Sequence, residues 1–174
     1  MLTDTSHGIV GTGNIGSALA RLFGRAGLEV QIANTRGPGT ISELAASAGP
    51  SVLPGYLADA LASDVIFLAI PFTAVEQVRK ELPDWTGKTI VDVTNAHYAP
   101  NAAKDILKGR LSSHYVAEVL PGSRVVKAFN QLPARPSPPR CPPPRAGAWS
   151  SSPATFPSPA PRSPNSPTPS VCRR

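Results

Sequence analysis

The first 132 residues contain no cysteine, and both cysteines of the 174-residue chain, Cys141 and Cys172, lie beyond them. A disulfide framework and a thiolate metal site are therefore excluded from the part expected to fold. No apolar run approaches the roughly 20 residues of a membrane span. The N-terminus has no basic region ahead of an apolar segment, so no secretory signal is expected and the setting is read as cytoplasmic. Acidic residues and lysine are absent after Leu132, where six arginines carry the whole net charge of +6. Residues 1–132 hold 11 basic and 11 acidic side chains, so the high isoelectric point is no nucleic-acid footprint. No Ser/His/Asp order, metal-ligand spacing or paired carboxylate stands out. His7 reads as a surface residue before the first strand, His114 as a helix residue, and Asp92 as structural or turn-related. His97 alone stands at a strand end.

Glycine is placed with purpose. The segment Gly8-Ile9-Val10-Gly11-Thr12-Gly13-Asn14-Ile15-Gly16 ends a short apolar run in G-T-G-N-I-G, and a helical pattern follows through Ala18, Leu19, Leu22 and Phe23. Strand, glycine turn and helix in that order form the context of a dinucleotide-binding fingerprint. Gly11 suits the tight turn, Gly13 lets a pyrophosphate approach the backbone, and Gly16 lets the helix pack close to the strand. Free N–H groups and the dipole of the first helical turn favour a phosphate there.

The rest of the chain alternates. Strands are expected at 8–10, 28–33, 52–53, 65–70, 89–93 and 124–129. Helices are expected at 14–26, from a T-x-x-E capping box at Thr40–Glu43 to about Ala48, at 57–62, 73–82 and near 112–120, with 94–101 a loop. The run VIFLAI suits a strand buried on both faces of a parallel sheet. Six strands with intervening helices predict a Rossmann-type, doubly wound α/β domain with helices on both faces over residues 1–132.

The end of the second strand selects the dinucleotide. An NAD site usually places a carboxylate there; this chain has Asn34, Thr35 and Arg36. An amide, a hydroxyl and a guanidinium suit a 2′-phosphate, which predicts NADP(H) over NAD(H). Ligands in this fold lie beyond the carboxyl ends of the strands. Three more strand ends therefore point at the site: Ala69-Ile70-Pro71-Phe72-Thr73, Val93-Thr94-Asn95-Ala96-His97 and Ala128-Phe129-Asn130. In hydride transfer the cofactor carries the chemistry, so the lack of an acid–base constellation does not argue against a redox enzyme.

The segments GIVGTGNIGSALARLF, IANTRGPGTISELA, DVIFLAIPFTAVEQV, TIVDVTNAHY and SRVVKAFNQL, in that order over residues 8–132, resemble the coenzyme F420-dependent NADP oxidoreductase family. Related sequences include dinucleotide-binding enzymes and the cytosolic domain of membrane ferric reductases. The resemblance implies hydride transfer between NADP(H) and the deazaflavin of coenzyme F420. It implies that Thr12, Asn14 and Ile15 join the glycines around the pyrophosphate, that Thr35 and Arg36 hold the 2′-phosphate, and that Ala69–Pro71 and Ala128–Asn130 border the nicotinamide.

Family members continue with an α/β segment that completes the deazaflavin site and a homodimer. Here residues 133–174 are instead built from Pro, Arg, Ser and Ala at 33 of 42 positions. Such a segment buries too little apolar surface to offset chain entropy and is expected to be a disordered tail. The abrupt switch and the all-arginine basic set favour a shifted reading frame over a native proline-rich tail. Partners are expected to be small-molecule redox cofactors, with neither nucleic acid nor membrane. The alternatives are a non-catalytic or truncated NADP(H)-binding module lacking a complete second-substrate site, and an adaptor whose tail recruits proline-binding domains.

Overall fold

The computed structural model describes residues 5–129. Asn130, the expected boundary at 132 and the expected tail at 133–174 lie outside the described residues.

Six strands form one sheet: β1 (His7–Val10), β2 (Val30–Ala33), β3 (Val52–Pro54), β4 (Val65–Leu68), β5 (Thr89–Asp92) and β6 (Arg124–Lys127). Their order is β3-β2-β1-β4-β5-β6 and every pairing is parallel, the doubly wound arrangement predicted from the alternation. Parallel strands need crossover helices, and these bury both faces of the central strands. Ile66, Phe67 and Leu68 of β4 are accordingly buried in succession.

The helices are α1 (Asn14–Ala26), α2 (Ser42–Ala48), α3 (Leu57–Ala62), α4 (Val75–Arg79), α5 (Pro100–Leu107) and α6 (Ser112–Val119). The core divides into two clusters. In one, Leu19 and Ala20 of α1 and Ala45 of α2 pack on Ile9, Ile32 and Phe67. In the other, Leu61 of α3, Val75 and Val78 of α4, and Val116 of α6 pack on Ile66, Leu68 and Ile90. Full burial of each large aliphatic side chain contributes about 1.5–3 kcal/mol. Helix α1 spans the predicted residues and ends at Gly27, whose φ of 66° is the left-handed conformation glycine supplies at a helix C-terminus.

Three local expectations are corrected. The T-x-x-E box does not form: Pro38–Thr40 is a 3-10 turn, Ile41 precedes α2, and the Thr40 hydroxyl donates to the Gly37 carbonyl at 2.9 Å. A carboxylate cap occurs instead at α3, where Asp59 Oδ2 accepts the Tyr56 N–H at 2.7 Å. The helix expected at 73–82 is shorter, a 3-10 turn over Phe72–Ala74 followed by α4. The loop expected at 94–101 contains a 3-10 turn at Ala96–Tyr98 and the start of α5. Pro100 stands at the first position of that helix, where its missing N–H leaves no bond unmade. Its buried stripe is short, Ala103 with partly buried Ile106 and Leu107, so periodicity alone was a weak signal.

Candidate dinucleotide site

The β1–α1 turn is built from backbone packed to contact. Gly11 has φ of 107°, and a Cβ on it would lie 2.2 Å from the Ala69 carbonyl oxygen beyond β4. A Cβ on Gly16 would lie 1.9 Å from the Gly11 carbonyl oxygen. The turn can therefore seat α1 against the ends of β1 and β4 only with glycine at both positions. Ser17 fixes it further, its hydroxyl donating to the Thr12 carbonyl at 3.1 Å. Gly13 differs: a Cβ there would meet no protein atom within 4 Å and would project into open space. No packing within the protein calls for glycine at that position, and its open side has room for a ligand to approach the backbone.

Asn34 ties this turn to the loop after β2. Its side-chain amide donates to Thr12 Oγ1 at 3.2 Å and to Thr40 Oγ1 at 3.1 Å, while its Oδ1 accepts the Arg36 N–H at 2.8 Å. With both amide hydrogens engaged, Asn34 acts as a brace between the two loops rather than as a free donor. Thr35 and Arg36 are exposed, and the Arg36 guanidinium makes no ion pair among the described residues. A fixed cation with an open donor fork is what a phosphate dianion requires.

These segments converge on a cavity of about 400 Å³. Its walls include Gly11, Thr12, Gly13, Asn34, Thr35, Ala69, Ile70 and Pro71. Asn14 and Ile15 open α1 beside it, and Gly16 is buried beneath the turn. Arg36 follows the wall residue Thr35 directly. The cavity also takes in Leu57, Ala74, Gln77, Val78 and Glu81, none of them an expected site residue. Four of them stand at i, i+3, i+4 and i+7 after β4, a spacing that places them on one helical face and could have marked them.

Among the described residues, Asn95, Ala128 and Phe129 do not line this cavity. Asn95 lies beyond β5, where its Oδ1 accepts the His97 N–H at 2.9 Å. The Ala128 N–H donates to the Asp92 carbonyl at 3.2 Å. Phe129 has φ of 60°, a strained value for an aromatic residue, and its ring lies 6.4 Å from that of Phe67. His97 and His114 are exposed and His7 is half-buried with its ring 5.3 Å from Phe23. Among the described residues, no three His, Cys, Asp or Glu side chains are grouped to hold a metal.

At the ends of β5 and β6, side chains take over the work done by glycine in the first turn. Asp92 is fully buried; its Oδ1 accepts the Thr94 N–H at 2.9 Å and its Oδ2 pairs with Lys127 Nζ at 2.8 Å. Lys127 Nζ also donates to the Thr94 carbonyl at 2.6 Å. The structural role read for Asp92 is thus a buried clamp between adjacent strands, in which Lys127 was not foreseen.

The family described as NADP oxidoreductase, coenzyme F420-dependent, matches residues 6–96, just over half of the chain. The chain belongs to this family. The family match spans the glycine turn, the Asn34–Arg36 loop, Ala69–Pro71 and Asn95, and its NADP-binding oxidoreductase-type fold is the one described above. Among solved structures, a hypothetical protein from Sinorhizobium meliloti is 44% identical, with a TM-score of 0.68 over 75% of this chain and 63% of that one. A candidate F420-dependent NADP-reductase from Arthrobacter sp. FB24 is 21% identical, with a TM-score of 0.59 over 75% of this chain and 64% of that one. An imine reductase from Bacillus cereus BAG3X2 shares the fold at 21% identity and a TM-score of 0.50, over 74% of this chain and 42% of that one. The chain thus spans less than two thirds of each of these proteins. No curated protein matches it. Among the described residues, no helix is long and apolar enough to cross a membrane.

Proposed function

We propose that the chain binds NADP(H) at this cavity and serves as an oxidoreductase exchanging a hydride with coenzyme F420. One observation carries the nucleotide half of this reading. The cavity that begins at the open side of Gly13 reaches Asn34 and Thr35, with Arg36 next in the chain, and no carboxylate stands at the end of β2. Gly11, Thr12 and Gly13 would hold the pyrophosphate, with Asn14, Ile15 and Gly16 opening the helix behind it. Thr35 and Arg36 would hold the 2′-phosphate, braced by Asn34. Ala69, Ile70 and Pro71, and beyond them Asn95, Ala128, Phe129 and Asn130, would border the ribose and nicotinamide. NADP(H) supplies the hydride chemistry when bound; the protein positions it and excludes water. Family membership supports coenzyme F420 as the second substrate. The reading includes a cytoplasmic setting, small-molecule partners only, and pairing of two copies as in the family.

A second reading, an NADP(H)-binding module without turnover, is favoured by a specific feature. Every cavity wall comes from the first four strands and their following segments, and no residue of β5 or β6 joins them. Mixing the purified full chain with NADPH and coenzyme F420 separates the two. Consumption of NADPH that depends on the deazaflavin is the expected result. Saturable NADPH binding with no consumption would establish the second reading.

A further inference from the structure

We infer that Glu81, with Gln77 beside it, reads the 6-amino edge of the purine and makes the cavity selective for adenine over its deaminated counterpart. The inference rests on the NADP(H) reading above. If the phosphates occupy the glycine turn and the Thr35–Arg36 loop, the part of the cavity left for the base is walled by Leu57, Ala74 and Val78. These side chains are apolar, which suits a flat heteroaromatic ring.

Two polar side chains interrupt this end of the cavity, Gln77 and Glu81. The turn structure continues past α4, with the Lys80 N–H on the Gln77 carbonyl and the Glu81 N–H on the Val78 carbonyl, both at 3.1 Å. Ala74, Gln77, Val78 and Glu81 thus share one face. The neighbouring carboxylate of Glu76 is committed elsewhere, accepting the Tyr115 hydroxyl at 2.9 Å. Gln77 and Glu81 make no side-chain hydrogen bond or ion pair among the described residues, so both are available to a ligand.

Their chemistry fixes what they can take. A carboxylate only accepts hydrogen bonds, whereas a primary amide both donates and accepts. A negative charge at this end repels a phosphate and assigns the space to the neutral base. The 6-amino group of adenine can donate to Glu81. The 6-oxo group of hypoxanthine presents lone pairs where adenine donates, and its N1–H donor lies one ring position away, so a carboxylate seated on the 6-substituent is left against an acceptor. Gln77 can serve either base, so it adds affinity and Glu81 adds discrimination.

The test is an equilibrium titration of the full chain with NADPH and with reduced nicotinamide hypoxanthine dinucleotide phosphate, which differ at this edge of the base. NADPH should bind about tenfold tighter or more. In Glu81→Gln, whose amide can donate to the 6-oxo group, the ratio should fall to within about threefold. Gln77→Ala should weaken both ligands alike. Equal affinity of the wild-type chain for the two nucleotides, or a ratio unchanged in Glu81→Gln, would overturn the inference while leaving the NADP(H) reading intact. Binding of neither nucleotide would overturn both.

Discussion

At the end of β1 the backbone itself is packed to contact, with Gly16 against the Gly11 carbonyl and Gly11 against the Ala69 carbonyl. At the ends of β5 and β6 two side chains do the holding, with buried Asp92 gripped by Lys127 and the Thr94 N–H. The first arrangement leaves a smooth surface open to a ligand at Gly13. The second fills its space with a charged pair. The outer strand also differs in cover: Val126 is 51% exposed, whereas the facing residues of β1 and β4 are buried. The contrast separates a turn packed backbone to backbone, with an open side at Gly13, from a sheet edge held by its own side chains.

The largest effect should come from Gly16→Ala. Its Cβ would stand 1.9 Å from a backbone oxygen, with no flexible side chain to yield. We expect a loss of about 3 kcal/mol or more in urea unfolding. Gly13→Ala sharpens the contrast, because its Cβ meets no protein atom. It should cost no more than about 1 kcal/mol of stability, as an N-cap change, and yet weaken NADPH binding by about tenfold or more, a loss of at least ~1.4 kcal/mol. Similar unfolding midpoints for the two variants would break the account of the turn.

Next is Lys127→Met, which strands the Asp92 carboxylate in the sheet. The Lys127 side chain is 23% exposed, so we expect a loss of about 2–3 kcal/mol, at the low end for a broken buried pair. Adding Asp92→Asn should restore part of that loss in the same unfolding assay. If the single variant unfolds like the wild type, the clamp does not hold this edge.

A smaller effect is expected from α6. Burial, with the Glu76 hydrogen bond second, pushes the Tyr115 hydroxyl up to about 12. The folded chain then retains a proton that the unfolded chain loses above pH 10. Stability should be unaffected by this group below pH 10 and should fall between about pH 10 and 12. Tyr115→Phe should flatten that part of the stability–pH curve. An unchanged slope would show that the group does not govern it.

The glycine turn was legible because its constraint is local: three glycines within six residues after an apolar strand allow few other uses. The doubly wound parallel class followed from alternation and from the buried run of β4. The Asp92–Lys127 clamp was not legible, because it depends on parallel register between residues 35 apart. Gln77 and Glu81 were obscured because nothing in the helix expected at 73–82 shows that one of its faces, from Ala74 to Glu81, meets the cavity formed by the β1–α1 turn and the loop after β2. The Thr40 box failed for a related reason. The Asn34 brace and Gly37 engage the threonine hydroxyl before the helix can.

The central claim is that the Thr35–Arg36 loop makes this an NADP(H) site. Fluorescence titration of the full chain with NADPH and NADH, repeated on Arg36→Ala, tests it most directly. The account predicts NADPH binding tighter than NADH by about ten- to a hundredfold, as one charge-assisted phosphate contact supplies, with the preference lost in the variant. Equal affinity for the two nucleotides, or a preference that survives Arg36→Ala, would contradict it.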